Sequence, residues 1–92
     1  MPKALEVVFT DEFALCLADV DDLSPSKGMR IREAVRRLQA FPDMGSPRVC
    51  QMLKNRYGDD LRTLAVEGYV IVYRHDEQKL CLIALPWGGR IR

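Results

Sequence analysis

Few residues in this chain could do acid–base, nucleophilic or metal chemistry, and their spacing points to no familiar constellation. His75 is the one histidine, followed by Asp76. A lone histidine moves protons usefully only where a second group orients it, and in a turn it reads as solvated. Cys16, Cys50 and Cys81 are odd in number, far apart and set among apolar residues. That pattern predicts reduced, mostly buried thiols in a cytoplasmic protein, with neither a disulfide framework nor a metal site. There is no nucleophile elbow, phosphate-binding glycine loop or nucleotide fingerprint, and Gly88-Gly89 comes too late to open a helix over a phosphate. No cofactor is expected. What remains is a scatter of cations, among them Arg48, Lys54, Arg62, Arg74, Arg90 and Arg92, which can hold phosphates or carboxylates and also suit any solvated surface.

The frame for those cations is small. A chain of 92 residues, 48% hydrophobic and 29% charged, predicts one domain over residues 1–92, which excludes large multidomain enzymes. Its net stability should be only about 5–10 kcal/mol. The formal net charge of +1 gives no bulk attraction to nucleic acid. That sum hides an uneven distribution, because residues 1–27 hold six acidic side chains against two basic ones and the remainder carries +5. No apolar leader follows Met1, and the longest apolar run, residues 80–85, is too short to cross a bilayer, so neither secretion nor membrane insertion is expected.

Residues 4–9 alternate partly and favour a strand, with Leu5, Val7 and Phe9 on one side. Thr10-Asp11-Glu12 then makes a good helix entry, a capping hydroxyl followed by two carboxylates at the positive end of the dipole. Phe13, Cys16, Leu17, Val20 and Leu23 fall on one arc of that helix, while Leu15 projects among Asp19, Asp21 and Asp22. Residues 24–28 read as a break. A second helix is predicted over residues 28–40, with Ile31, Ala34, Val35, Leu38 and Phe41 as its stripe and Glu33 placed to pair with Arg37. Arg30 and Arg37 flank one edge of the stripe, Arg32 and Arg36 the other. The two helices form an antiparallel hairpin, acidic then basic, which Phe41-Pro42 ends.

Residues 42–60 are turn-rich at first, and residues 48–57 fit a short helix and an extended stretch equally. Three strands follow, over residues 61–66, 69–74 and 79–85, the first two joined by a tight Glu67-Gly68 turn. If Val66 pairs with Tyr69, then Leu64 faces Ile71 and Arg62 faces Tyr73 on one surface. Leu61, Thr63, Ala65, Val70, Val72 and Arg74 occupy the other. Both surfaces are apolar enough to need cover: the helical hairpin can supply one, and the other either bends into a closed core or awaits a partner.

Four strings in this order, VVFTDEF at 7–13, LQAFPDMG at 38–45, LRTLAVEGYVIVYR at 61–74 and LPWGGR at 85–90, resemble the toxins of bacterial type II toxin–antitoxin modules, the RelE/ParE superfamily. The resemblance covers nearly the whole chain apart from residues 46–60. It implies an α+β fold of order β-α-α-β-β-β, a helical hairpin packed on a small, mainly antiparallel sheet. It also implies growth arrest, plasmid stabilisation and a cognate antitoxin that wraps the surface. RelE-like members resemble ribosome-dependent mRNA endoribonucleases, which need basic residues on the open face of the hairpin and an aromatic hydroxyl near the C-terminus. Here the matching hairpin positions are Leu61, Thr63 and Val70, and the tail offers Trp87, which can neither give nor take a proton in catalysis. The resemblance therefore favours the ParE-like branch, non-enzymatic inhibitors of DNA gyrase, with Trp87, Arg90 and Arg92 as target contacts. The alternatives are an endoribonuclease using Arg48, Lys54, Arg62 or Arg74 on ribosome-bound mRNA, and an inactive interaction module of the same fold. Antitoxin contacts are expected at Leu15, Arg30, Arg36, Arg37, Leu61, Thr63 and Val70, in a homodimer or a hetero-oligomer with the antitoxin.

Overall fold

The computed structural model describes residues 4–88. The elements run β1 (Glu6–Phe9), α1 (Asp11–Leu23), α2 (Pro25–Ala40), a single 3-10 turn (Pro42–Met44), α3 (Gln51–Tyr57), β2 (Arg62–Val66), β3 (Tyr69–His75) and β4 (Lys79–Ala84). The sheet order is β1-β4-β3-β2, with β1 parallel to β4 and the other pairs antiparallel. This is the expected α+β arrangement with one addition, α3.

Entry into α1 follows the sequence closely. Thr10 accepts the Phe13 N–H on its hydroxyl oxygen, and the same hydroxyl donates to the Ile83 carbonyl at 2.6 Å, so the cap also pins the helix to β4. The predicted break at residues 24–28 is shorter than expected. Ser24 alone separates the helices, because Pro25 stands at the first position of α2, where its fixed φ and missing N–H cost nothing. Gly28 is therefore helical and buried, and a Cβ there would run into the Asp21 carboxylate, so glycine leaves room for the Asp21–Arg32 pair at the crossing. Arg32 spans the crossing with two hydrogen bonds to Asp21, at 2.8 and 2.6 Å. The Asp21 carboxyl is held below its usual range chiefly by that hydrogen bond.

The register proposed for the hairpin holds at every position: Val66 pairs with Tyr69, Leu64 with Ile71 and Arg62 with Tyr73. Glu67 (φ 53) and Gly68 (φ 84) both take positive φ, as a tight two-residue turn requires. One sheet face buries Ile71, Tyr73, Leu80 and Leu82 against Phe13, Val20, Ile31 and Leu38 of the helical hairpin. The other face did not need a partner. There α3 lays Leu53 over Leu61, Val72 and Ile83, with Cys50 and Tyr57 at the margin. Between Val72 and Tyr73 the β3–β4 ladder slips, so that Val72 pairs with Ala84 while Tyr73 pairs with Leu82. Ile83 is the extra residue of a bulge, which explains how the unbroken apolar run feeds both cores: Ala84 joins Ile83 on the α3 side and Leu85 returns to the helical-hairpin side.

Two stripe residues differ from expectation. Leu23 is 80% exposed, because α1 ends there at the margin of its apolar arc. Phe41 is 67% exposed, because it caps α2 in a non-helical conformation and swings off the stripe. The Glu33–Arg37 pair is absent from the described ion pairs, and α2 is tied instead by Arg30 to Glu67 at 2.9 Å.

Candidate functional site

The chain after α2 folds back over the end of β3 and is fastened there by Tyr73. That side chain is fully buried, its hydroxyl donating to the Pro42 carbonyl at 2.6 Å and accepting the Gly45 N–H at 3.0 Å. Burial raises the phenol's pKa above its usual value, so it is a structural hydroxyl. Gly45 is needed for close approach, since a Cβ there would meet the Tyr73 ring. Arg62, on the same face as Tyr73, donates to the Gly45 carbonyl at 2.9 Å and lies 3.5 Å from the Asp43 carboxylate. His75 reaches the same carboxylate through Nε2 at 3.1 Å. The predicted solvated histidine is thus a half-buried strand residue, oriented by Asp43 rather than by its neighbour Asp76. Asp76 spends its carboxylate on the N–H groups of Gln78 and Lys79, which hold it below the ordinary range.

The clasp has a consequence at the sheet edge. Ser46 and Thr63 exchange backbone hydrogen bonds at 2.8 and 3.0 Å, so the clasped segment covers the outer edge of β2 at that point and no further. Backbone groups alternate in direction along an antiparallel strand. Ala65, two residues on, therefore turns its N–H and carbonyl outward as Thr63 does. Above this stretch lies a groove of about 300 Å³ between α2 and β2, its lining including Ala34, Met44, Leu64 and Val66 with Arg30, Arg37, Glu33 and Glu67 at the rim. Among the described residues Arg37 has no ion-pair partner.

On the opposite face, Arg74 donates through Nη2 to the Tyr57 carbonyl, and its Nε stands 3.6 Å from Asp60. The Tyr57 hydroxyl donates to Glu12 and is pushed up to about 12, by burial first and then by its hydrogen bond and proximity to that carboxylate. Cys16 sits near the same carboxylate, its thiol raised by burial and then by Glu12 and Asp19. Neither tyrosine is poised to exchange a proton near neutrality.

Beyond the bulge, residues 86–88 continue alongside β3 towards the Glu67-Gly68 turn, with Val70 N–H donating to the Pro86 carbonyl and Gly88 N–H to the Gly68 carbonyl. This sets Trp87 edge-on against Tyr69, ring centroids 5.1 Å apart, and over Gly68, while leaving it 45% exposed.

A family model for the ParE toxin of the type II toxin–antitoxin system parDE matches residues 7–85. The chain belongs to the ParE toxin family. Among solved structures it is similar to a chain of a chromosomal ParDE system from P. aeruginosa, at 18% identity and a TM-score of 0.66, over 92% of this chain and 97% of that one. At that identity the likeness is one of fold. No curated protein matches the sequence.

Within this ParE-family fold the sequence-predicted residues separate into groups. Arg30 and Arg37 line the groove; Arg36 and Leu15 do not, both lying exposed on the helical hairpin. Thr63 and Val70 are half-buried on the α3 face, and Leu61 is buried in its core, out of reach of any partner. Arg62 and Arg74 occupy opposite faces of the sheet, so with Arg48 exposed and Lys54 on α3 the four cations do not share one site built on the hairpin. Trp87 is both packed and exposed; Arg90 and Arg92 lie outside the described residues. Missed by sequence reasoning were the Asp43 link to Arg62 and His75, and the Ser46–Thr63 bridge. Neither leaves a local signal, because each joins residues 17 or more positions apart. No described helix is long and apolar enough to cross a membrane.

Proposed function

We propose that this ParE-family chain arrests growth by inhibiting DNA gyrase and is neutralised by a cognate antitoxin seated in the α2–β2 groove. The observation that carries the first half is the commitment of the hairpin arginines. Arg62 is bound to the clasp and Arg74 to α3 on the other face, while the nearby phenols are held in their neutral form. Cleavage by a ribose 2′-hydroxyl needs a base for that hydroxyl and cations converging on one phosphate, and this hairpin offers no such convergence. Trp87, on the exposed tail segment that leads to Arg90 and Arg92, is the target contact. The endoribonuclease is the reading to be tested against it.

For the second half, an extended acidic segment suits the groove. Its backbone pairs with the outward groups of Ala65, its apolar side chains rest on Ala34, Met44, Leu64 and Val66, and its carboxylates meet Arg30 and Arg37. Purified protein should inhibit gyrase supercoiling and leave ribosome-bound message intact. Trp87→Ala should raise the concentration needed roughly tenfold or more, while loss of its packing on Tyr69 lowers the melting temperature by several degrees and leaves the fold intact at the assay temperature by circular dichroism. Position-specific mRNA cleavage by the wild-type chain would overturn the gyrase reading.

A further inference from the structure

The Glu67-Gly68 turn meets two demands at once. Its backbone takes positive φ at both residues, 53° and 84°. Positive φ alone does not call for glycine at the second position, because Glu67 already adopts it and asparagine enters that region readily. The second demand falls on the α-carbon of Gly68. A Cβ there would run into Cζ3 and Cη2 of Trp87. The distal edge of the indole's benzene ring thus rests in the space a side chain would fill, and the pyrrole end with its N–H stands further from the turn.

The same residue holds the chain that carries Trp87. The Gly68 carbonyl accepts the Gly88 N–H at 2.8 Å, and two residues on the Val70 N–H donates to the Pro86 carbonyl at 2.9 Å. Tyr69 closes the seat edge-on, its ring centroid 5.1 Å from that of the indole. Of the two sides the turn is the fixed one. Val66 pairs with Tyr69 at its base and the β2–β3 ladder continues from there, whereas Trp87 joins through one isolated bridge and is half-exposed. A side chain at position 68 therefore displaces the indole and leaves the turn in place.

We infer that Gly68 is a positioning residue for the target contact made by Trp87: its bare α-carbon sets which edge of the indole is presented and holds it there before the target arrives. This rests on the reading of Trp87 as the gyrase contact. A ring already fixed loses little rotational freedom on docking. One that swings loses more, and spends part of its time presenting the wrong edge. Gly68 does not need to touch the target, because it acts through the ring.

Gly68→Asn tests this in the full chain. Asparagine tolerates positive φ, so the turn is kept, and it puts a Cβ where the ring rests. Trp87 is the chain's single tryptophan, so its fluorescence reads the seat directly. In the variant the emission should move to longer wavelength and quenching by acrylamide should rise, with far-UV circular dichroism unchanged at the assay temperature. Inhibition of supercoiling should need roughly tenfold more protein, as for Trp87→Ala. In a Trp87→Ala background the same substitution should add no more than about twofold, since residues acting through one contact are not additive. A glycine needed only for the turn would cost the same in both backgrounds, so costs that add overturn the proposal. Unchanged emission and quenching in Gly68→Asn overturn it too, as does a displaced ring with inhibition undiminished. A wild-type chain that leaves supercoiling intact overturns instead the gyrase reading and with it the target role of the seat, while the emission of Gly68→Asn still decides whether this glycine holds the ring.

Discussion

Tyr73→Phe lowers the unfolding free energy by about 1–3 kcal/mol, the cost of leaving the buried Gly45 N–H without its acceptor. The ring stays and the core between the sheet and the helical hairpin keeps its volume, so chemical denaturation should show a lower midpoint with an unchanged slope. Tyr73→Ala removes the ring as well. Truncating a fully buried aromatic costs about 3–5 kcal/mol, and together with the lost hydrogen bonds this approaches the whole stability expected of a domain this size. The alanine variant should be largely unfolded at 37 °C by circular dichroism. If it melts as the wild type does, Tyr73 does not fasten the segment after α2.

The second large effect falls on partner capture. Ala65→Pro removes an N–H that points away from β3, so no ladder hydrogen bond is lost, and proline is tolerated on an edge strand in that orientation. The melting temperature should fall by no more than a few degrees. Affinity for the cognate antitoxin should drop roughly tenfold or more, because the added strand loses a donor and meets the pyrrolidine ring. Titration calorimetry against the purified antitoxin measures the affinity, and a thermal melt of the variant alone measures the retained fold. Unchanged affinity would remove the β2 edge from the interface, whatever the fate of Arg37.

Local chemistry made much of the architecture legible. The Thr10 cap, the Pro42 stop and the Glu67-Gly68 turn are each decided by residues within a few positions, and the turn alone set the β2–β3 register. Helix α3 was not legible, because seven residues with a single buried side chain, Leu53, and no side-chain cap leave no periodicity to count. Its existence is a tertiary decision, made by Leu61, Val72 and Ile83 needing cover. The candidate site behaved likewise. Arg30 and Arg37 could be assigned to one edge of a helix from spacing, but that this edge overlooks an open strand follows only from the sheet order. Leu61 was misjudged as a surface contact for the same reason: its neighbour across the sheet face, Leu53, lay in the unread segment.

Strand β1 has one neighbour in the sheet, β4, and the two lie more than 70 residues apart in sequence. During synthesis from the N-terminus, β1 and the helical hairpin are therefore complete long before the strand that joins them to β3 exists. Until residue 84 has cleared the ribosome the helices have only part of a sheet to rest on, and the Thr10 hydroxyl lacks the Ile83 carbonyl it later meets. Folding of this unit therefore waits for β4, and truncation before β4 should yield no partial toxin, because it removes an inner strand rather than an appendage.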